Sequence, residues 1–576
     1  MNRTEFLTTV LGGNQTDASA MPSESLEQNP VAARKLIRTT TGLGAYTGPW
    51  TAETAAHLLR RTMFGPRRAE IQSVATGSMD AIVDTLLAAQ LYPPPAPEGP
   101  GGTSWVNLPY DQAFGMSEGT YRNYLKAWWM GLMVKQGFTL VEKMTLFWHN
   151  LFPSEAIEVQ DSRAMYKQNV LFRQYALGNF LQLVRAVSVD HAMLVYLNGY
   201  RNTKTAPDEN YARELLELFT IGKGPQIADG NYTNYTEQDV KAAAKVLTGY
   251  RLNGSPRDRR NDAYLSEPVG YRFVPELHDT TNKQFSEAFQ NRVIVGKSGA
   301  AGEQELDELL DMIFDQPETA RFICRKLYRW FVYYDIDAST EQNVIEPMAL
   351  LLRDNNFDVK PVLSALLKSE HFYDANNIGC FIRTPVDLTV GAMRQLNPQG
   401  LPDLTLAENY QLARRLVDRS SQLQMNVFDP PDVAGWKAFY QLPDFYELWI
   451  NTTTLPTRGT YTDELFNGII YNQNSVRMTF RTDPIAYAKT MSAPNDPFQL
   501  VDDIAAELSP IPLTDKQKET LLYDVLQLAK NSEYEWTNQW DAYNSNPNNT
   551  QARDFLTGRL NTLLKYMLRL AEAQLA

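Results

Sequence analysis

Cysteine is almost missing from this chain of 576 residues, with Cys324 and Cys380 the whole supply. Two thiols cannot build a disulfide framework, nor an all-cysteine zinc or iron–sulfur site. Histidine is also scarce: His57, His149, His191, His278 and His371 are the five. No stretch approaches the ~18 consecutive apolar residues of a membrane span. Positive charge is in deficit, with 54 Lys and Arg against 67 Asp and Glu and a net charge of -13. That balance argues against tracking nucleic-acid phosphates or binding an anionic membrane. Familiar catalytic signatures are missing too: no His-Glu-x-x-His zinc helix, no Gly-x-Ser-x-Gly elbow, no Gly-x-Gly-x-x-Gly. Gly296-Lys297-Ser298 imitates the end of a phosphate loop, but Asn291 stands where the first glycine is needed. Without that glycine the backbone nest does not form.

What is present is enough apolar residue, 43%, for a large core. Residues 12–50 are polar and aperiodic and read as a poorly ordered lead-in. Thr51 then caps a helix that stops near Gly65-Pro66, and a second runs from about 68 to 90 with a break near Gly77. Residues 93–102, rich in Pro and Gly, form the clearest linker. Helices follow at 117–136, 138–151 and 162–198. Thr236-Glu237-Gln238-Asp239 is a capping box with aspartate in the usual place of glutamate. Residues 250–302 are the least helical part, with short strands or extended loops around His278-Asp279. Beyond 302 helices return, interrupted by the rigid loop Asp429-Pro430-Pro431-Asp432-Val433-Ala434-Gly435-Trp436, which a helix near 444–457 follows. Residues 472–484, 492–497 and 542–550 read as polar linkers. The last helix, about 550–574, carries the apolar row Leu556, Leu560, Leu563 and Met567. The fold expected is mainly α, a large multi-helix body with a small irregular or strand-containing insertion near 250–300. Its parts are a lead-in (1–50), a helical body (51–460) and C-terminal helices docked on it (461–576).

One helix organises this reading. Residues 205–222 have Thr205 as N-cap, Pro207, Asp208 and Glu209 in the first turn, and Gly222 at the left-handed end before Pro225. Tyr211, Leu215 and Leu218 form one apolar row, and Ala212, Leu216 and Phe219 the next. The remaining stripe is Glu209, Asn210, Arg213, Glu214 and Glu217. Spacing leaves two readings open. It is a solvated face laced by Glu209–Arg213 and Arg213–Glu217 pairs, or a buried polar cluster that holds a cation or substrate. His149 and His278 have polar neighbours, Asn150 and Asp279, and a histidine beside a carboxylate binds a metal or shuttles a proton. His57, His191 and His371 read as structural.

Five stretches together resemble the bacterial family called "domain of unknown function 1800". They are Ala56 to Gly65, Glu142 to Phe152 with its Trp148-His149-Asn150 run, Asp208 to Leu218, Tyr235 to Val240, and Pro430 to Trp436. The resemblance spans roughly residues 50–460 and implies a large, mainly helical protein with no carried-over activity. Genes of the family often lie beside those of sulfatase- or phosphatase-like proteins, which implies such a partner. Members often carry an export leader beginning Met-x-Arg-Arg. Here Thr4 replaces the second arginine and the apolar core is missing, so a cytoplasmic location is the expectation. The family pattern includes the polar stripe, His149 and His278-Asp279, which gives weight to the buried-cluster reading.

Two functions follow as expectations. One is a metal-assisted hydrolase. In it His149, Glu214, Glu217 and His278 hold a divalent metal, Glu209, Asn210 and Arg213 bind substrate, and Asp239 and Asp279 support catalysis. The other is a non-enzymatic binding or assembly protein that works with the sulfatase- or phosphatase-like partner.

Overall fold

The structure, a computed structural model, describes residues 41–576 apart from 89–92, 100, 114, 258–264, 398–399, 402–403 and 474–475. Threonine capping boxes open many of its helices: Thr51 before Ala52–Thr62, Thr236 before Glu237–Val246, Thr405 before Leu406–Gln422 and Thr514 before Asp515–Thr520. Each box satisfies N–H donors that a first helical turn leaves free. Proline in the first turn opens Pro317–Phe331, Pro385–Gln395 and Pro497–Leu508, where its missing N–H costs nothing. The break expected near Gly77 separates Arg68–Ala75 from Met79–Leu86.

The protein is mainly α. Glu118–Val134 packs along Leu406–Gln422, Val141–Leu151 on Ser162–Gln174, and Pro317–Phe331 on Glu346–Asp354. Their apolar faces share one continuous core with members from Ala55 to Leu575. The terminal helix Thr550–Arg569 lies against Thr454–Asn467 and Tyr534–Ser545. Leu556, Leu560, Leu563 and Met567 are buried there, so the apolar row is covered by its own chain. Among the described residues no helix is long and apolar enough to cross a membrane.

Strands occur only as two-stranded antiparallel pairs among the described residues. β1 (Gln226–Ala228) pairs with β2 (Asn231–Tyr232), β3 (Tyr250–Asn253) with β4 (Gly270–Phe273), β5 (Lys283–Gln284) with β6 (Val293–Ile294), and β7 (Ile469–Gln473) with β8 (Val476–Phe480). The middle two pairs make up the expected insertion. The last pair replaces the polar linker read at 472–484. Its polar residues lie toward the hairpin turn, while Ile469 and Phe480 pair across the open end and are buried. The helix expected at 444–457 is a 3₁₀ turn, Phe445–Trp449, followed by the longer helix Thr454–Asn467. The lead-in also needs revision at its end: Tyr46 N–H donates to Lys368 O (2.8 Å), and Ala45 bridges to Ser369. Residues 1–40 of that lead-in lie outside the described residues.

Candidate functional site

The Trp-His-Asn run and the Pro-Pro-Asp loop are two halves of one structural device. His149 is 1% exposed, and Trp129, Phe172, Phe428 and Trp436 surround its ring with centroids 5.4 to 6.3 Å away. Its Nε2 accepts a hydrogen bond from the Phe428 N–H at 3.1 Å, so that lone pair is committed and the ring is neutral. Burial, aided by the Lys126 charge, pushes its pKa down to about 3. Asn150 Oδ1 accepts from the Trp436 N–H (3.0 Å). Gly435 has φ +87°, and a Cβ there would meet Asn150 O at 2.4 Å, so only glycine lets the loop close on the helix. Asp429 ties down the other end, pairing with Lys126 and accepting from the Ile157 N–H (3.0 Å). Asp432 is thereby held at the loop tip, half-buried, its Oδ1 accepting from the Ala434 N–H at 3.0 Å.

The organising helix starts later than its sequence suggests. Its α-helical turns are Asn210–Glu214, and Asp208, not Thr205, caps the Asn210 N–H (2.9 Å). The Thr205 hydroxyl instead bonds that of Thr203 (3.2 Å), because Asn202 holds the Asp208 N–H and turns the intervening chain away from the helix. Leu215–Thr220 continues as a π turn, with the Thr220 hydroxyl donating to Leu215 O (2.5 Å) and the Ile221 N–H to Leu216 O (3.2 Å). Gly222 ends it with φ +73°.

The polar stripe is neither fully solvated nor buried. Arg213 forks onto Glu237 of the next helix (2.5 and 2.8 Å) and reaches Glu209 at 3.5 Å, the bidentate pairing that a guanidinium favours. Asn210 donates to Leu197 O at 3.4 Å. Glu217 pairs with Lys223 and accepts from the Tyr235 hydroxyl (2.8 Å). Glu214, between them, has no hydrogen-bond or ion-pair partner among the described residues. Burial first, then the Glu217 charge, push its carboxyl up to about 7; Asp432 adds to that rise, while Arg213 and Lys223 oppose it. The stripe and the loop tip therefore share one electrostatic environment. The charges of Glu217 and Asp432 both act on the Glu214 carboxyl, and neither histidine does.

His278 belongs to a different cluster. Its Nδ1 meets Thr248 O at 3.0 Å, and its Nε2 faces Glu305 Oε1 at 3.2 Å, a contact without good hydrogen-bond alignment. Glu305 is fully buried and takes Lys283 (2.5 Å) and the Lys297 N–H (2.6 Å). Asp279 accepts from the Thr281 N–H and hydroxyl. Asp239 receives four bonds, from the N–H and hydroxyl of both Thr236 and Ser286 (2.6 to 2.9 Å). Both aspartates pin backbone together, and Asp239 has no capacity left for chemistry.

Among the described residues no three His, Cys, Asp or Glu side chains are grouped to hold a metal ion. His149, Glu214, Glu217 and His278 divide among three environments, and both histidines are engaged by backbone. They do not fit a shared first shell. Sequence reasoning passed over Glu237, Tyr235 and Asp432 as site residues. All three lie in the family-like stretches, which was the available signal.

A family model described as "Protein of unknown function (DUF1800)" matches residues 57–575. No curated protein and no solved structure matches the chain. The match runs well past residue 460 and takes in the C-terminal helices.

Proposed function

We propose, from the premise that this chain belongs to the DUF1800 family of proteins of unknown function, that it is an acid–base enzyme of the hydrolase class centred on Glu214, Glu217 and Asp432. The observation that carries the reading is the contrast between two carboxyls three residues apart. Glu217 is compensated by Lys223 and Tyr235, whereas Glu214 is uncompensated and titrates near neutral pH. A carboxyl with a pKa of about 7 delivers a proton to a leaving group or takes one from water with nearly equal ease. Glu217 and Asp432 supply negative charge that favours a substrate with cationic or hydroxyl-rich groups. No step runs through a metal held by the two histidines.

The test is a screen of ester, glycoside and phosphoester substrates with the wild type and Glu214→Gln. The expected result is a turnover lost by about 100-fold or more in the variant, with unchanged circular dichroism. Equal turnover in both proteins, or none in either, would overturn the reading.

One observation favours the second reading, a non-enzymatic assembly protein. Arg213, Glu237, Glu217 and Lys223 satisfy one another within the fold, as a structural stripe would. On that reading the chain binds a sulfatase- or phosphatase-like partner. Sedimentation of the two purified proteins together would register a complex that survives Glu214→Gln.

A further inference from the structure

Lys167, Leu171 and Tyr175 follow one another at four-residue spacing along Ser162–Gln174 and its C-cap, and Leu181, Arg185 and Val189 do the same along Phe180–Ser188 and its C-cap. Side chains four apart share a helix face. Both faces look into one cleft, which Tyr271 of β4 helps to close and which Asp190, the N-cap of His191–Tyr196, also lines. Its volume of about 520 Å³ suits a small molecule, for which sites of roughly 300–1,000 Å³ are usual. None of Glu214, Glu217 and Asp432 lines it.

The walls are mostly apolar, from Leu171, Leu181, Ala186, Val189 and Val269. Several of the polar groups are already engaged. Arg185 donates from Nε to Asp307 (2.7 Å) and lies 3.6 Å from Glu303. The Tyr271 hydroxyl donates to Glu303 at 2.9 Å. His191 donates from Nδ1 to Gly270 O (2.9 Å), and burial lowers its pKa, so the ring is neutral.

Two groups of opposite sign remain without a counter-charge in contact. Lys167 donates to a neutral acceptor, Val269 O (2.5 Å), and forms no ion pair among the described residues. Asp190 accepts on Oδ2 from two neutral donors, Gln168 Nε2 (2.9 Å) and the Met193 N–H (3.0 Å), and likewise has no ion pair there. Each feels the charge of the other through space, yet the two do not pair. Burial pushes the Asp190 carboxyl up to about 7 and lowers the Lys167 ammonium. An acid and a base held apart across an apolar cleft are costly to desolvate. A ligand that carries only an anion would meet Asp190, and one that carries only a cation would meet Lys167. A zwitterion answers both.

We propose that this cleft binds a free α-amino acid with an apolar side chain, its ammonium on Asp190, its carboxylate on Lys167 and its side chain against Leu171, Val189 and Tyr271. The site is distinct from the acid–base site at Glu214.

Isothermal titration of the full chain with L-phenylalanine and with L-leucine tests this, at pH 8, where Asp190 is ionised. Saturable binding at one site is expected. 3-Phenylpropionate lacks the ammonium and phenethylamine lacks the carboxylate, and each is expected to bind at least about 10-fold more weakly than L-phenylalanine, the effect of losing one charge-assisted bond. Asp190→Asn keeps a capping side chain on the His191–Tyr196 helix. It is expected to weaken L-phenylalanine and leave 3-phenylpropionate no weaker, whereas Lys167→Met is expected to weaken L-phenylalanine and spare phenethylamine. If Asp190→Asn does not fold, Lys167→Met, at a half-buried position, carries the comparison. No saturable binding of either amino acid would overturn the proposal. So would equal affinity for the amino acid and its two singly charged analogues, or affinity for L-phenylalanine unchanged in a variant that folds.

Discussion

Acidification should weaken this fold through His149, by an amount that can be worked from its surroundings. The ring is buried, neutral and committed through Nε2 to the Phe428 N–H. Its pKa falls from 6.5 to about 3 on folding. Between those two values the unfolded chain binds a proton that the folded chain refuses. Stability therefore rises with pH across that window, is fully present above about 6.5, and is lost progressively as pH falls toward 3. At pH 5 the lost stabilisation is about 2 kcal/mol, at ~1.4 kcal/mol per unit over roughly 1.5 units. Other groups titrate in the same range. His57 and His191 are lowered as His149 is, whereas Glu214 and Asp190 are raised and act with the opposite sign. A comparison with His149→Gln cancels them, because its amide oxygen preserves an acceptor for Phe428 without titrating. Urea unfolding at pH 7.5, 6 and 5 should show the wild type losing about 2 kcal/mol more than the variant on going from pH 7.5 to 5. Parallel curves for the two proteins would refute the argument that His149 is held neutral by burial.

Four further outcomes are expected. Glu142 lies under the buried Arg173 fork (2.5 and 2.9 Å) and the Trp129 N–H, so Glu142→Gln should cost about 3–5 kcal/mol. Arg213→Ala, at a pair about a third exposed, should cost under about 1 kcal/mol; urea midpoints for both variants check the contrast. Gly435→Ala imposes a left-handed conformation on alanine and a clash with Asn150, and should lower stability by roughly 1–3 kcal/mol, read as a fall in Tm. Leu563→Ala empties a fully buried position of the terminal helix and should cost about 2–5 kcal/mol. A loss near zero in denaturant titration would mean that the helix is not held by the body.

Local chemistry was the legible part of this protein. Thr51, Thr236 and Gly77 announced helix ends correctly because caps and breaks act over three or four residues. Thr205 misled because Asn202, outside the helix, redirects the chain at Asp208. The β7–β8 hairpin was hidden because its turn end is polar and its apolar ends are short. In the site, the stripe was visible as a helix face, but Arg213's true partner, Glu237, comes from the next helix. The Trp-His-Asn run looked like chemistry because His149 has a polar neighbour, Asn150, within a family-like stretch. Its role emerged only when the loop some 280 residues later was seen to lean on it.

The π turn at Leu215–Thr220 bears on how this stretch tolerates changes in length. A π turn accommodates one residue more than an α turn, so the helix carries a built-in insertion immediately after Glu214. In an ordinary helix, deleting one residue rotates everything downstream by about 100° and tears the buried face from its partners. Here a single deletion between 215 and 220 would let the turn relax to α geometry, with Phe219 and Gly222 near their present places. Glu217 would be the residue to move. Shortening by one residue at this point would thus re-aim one carboxylate while sparing the core, a route to a different site that point substitution does not offer.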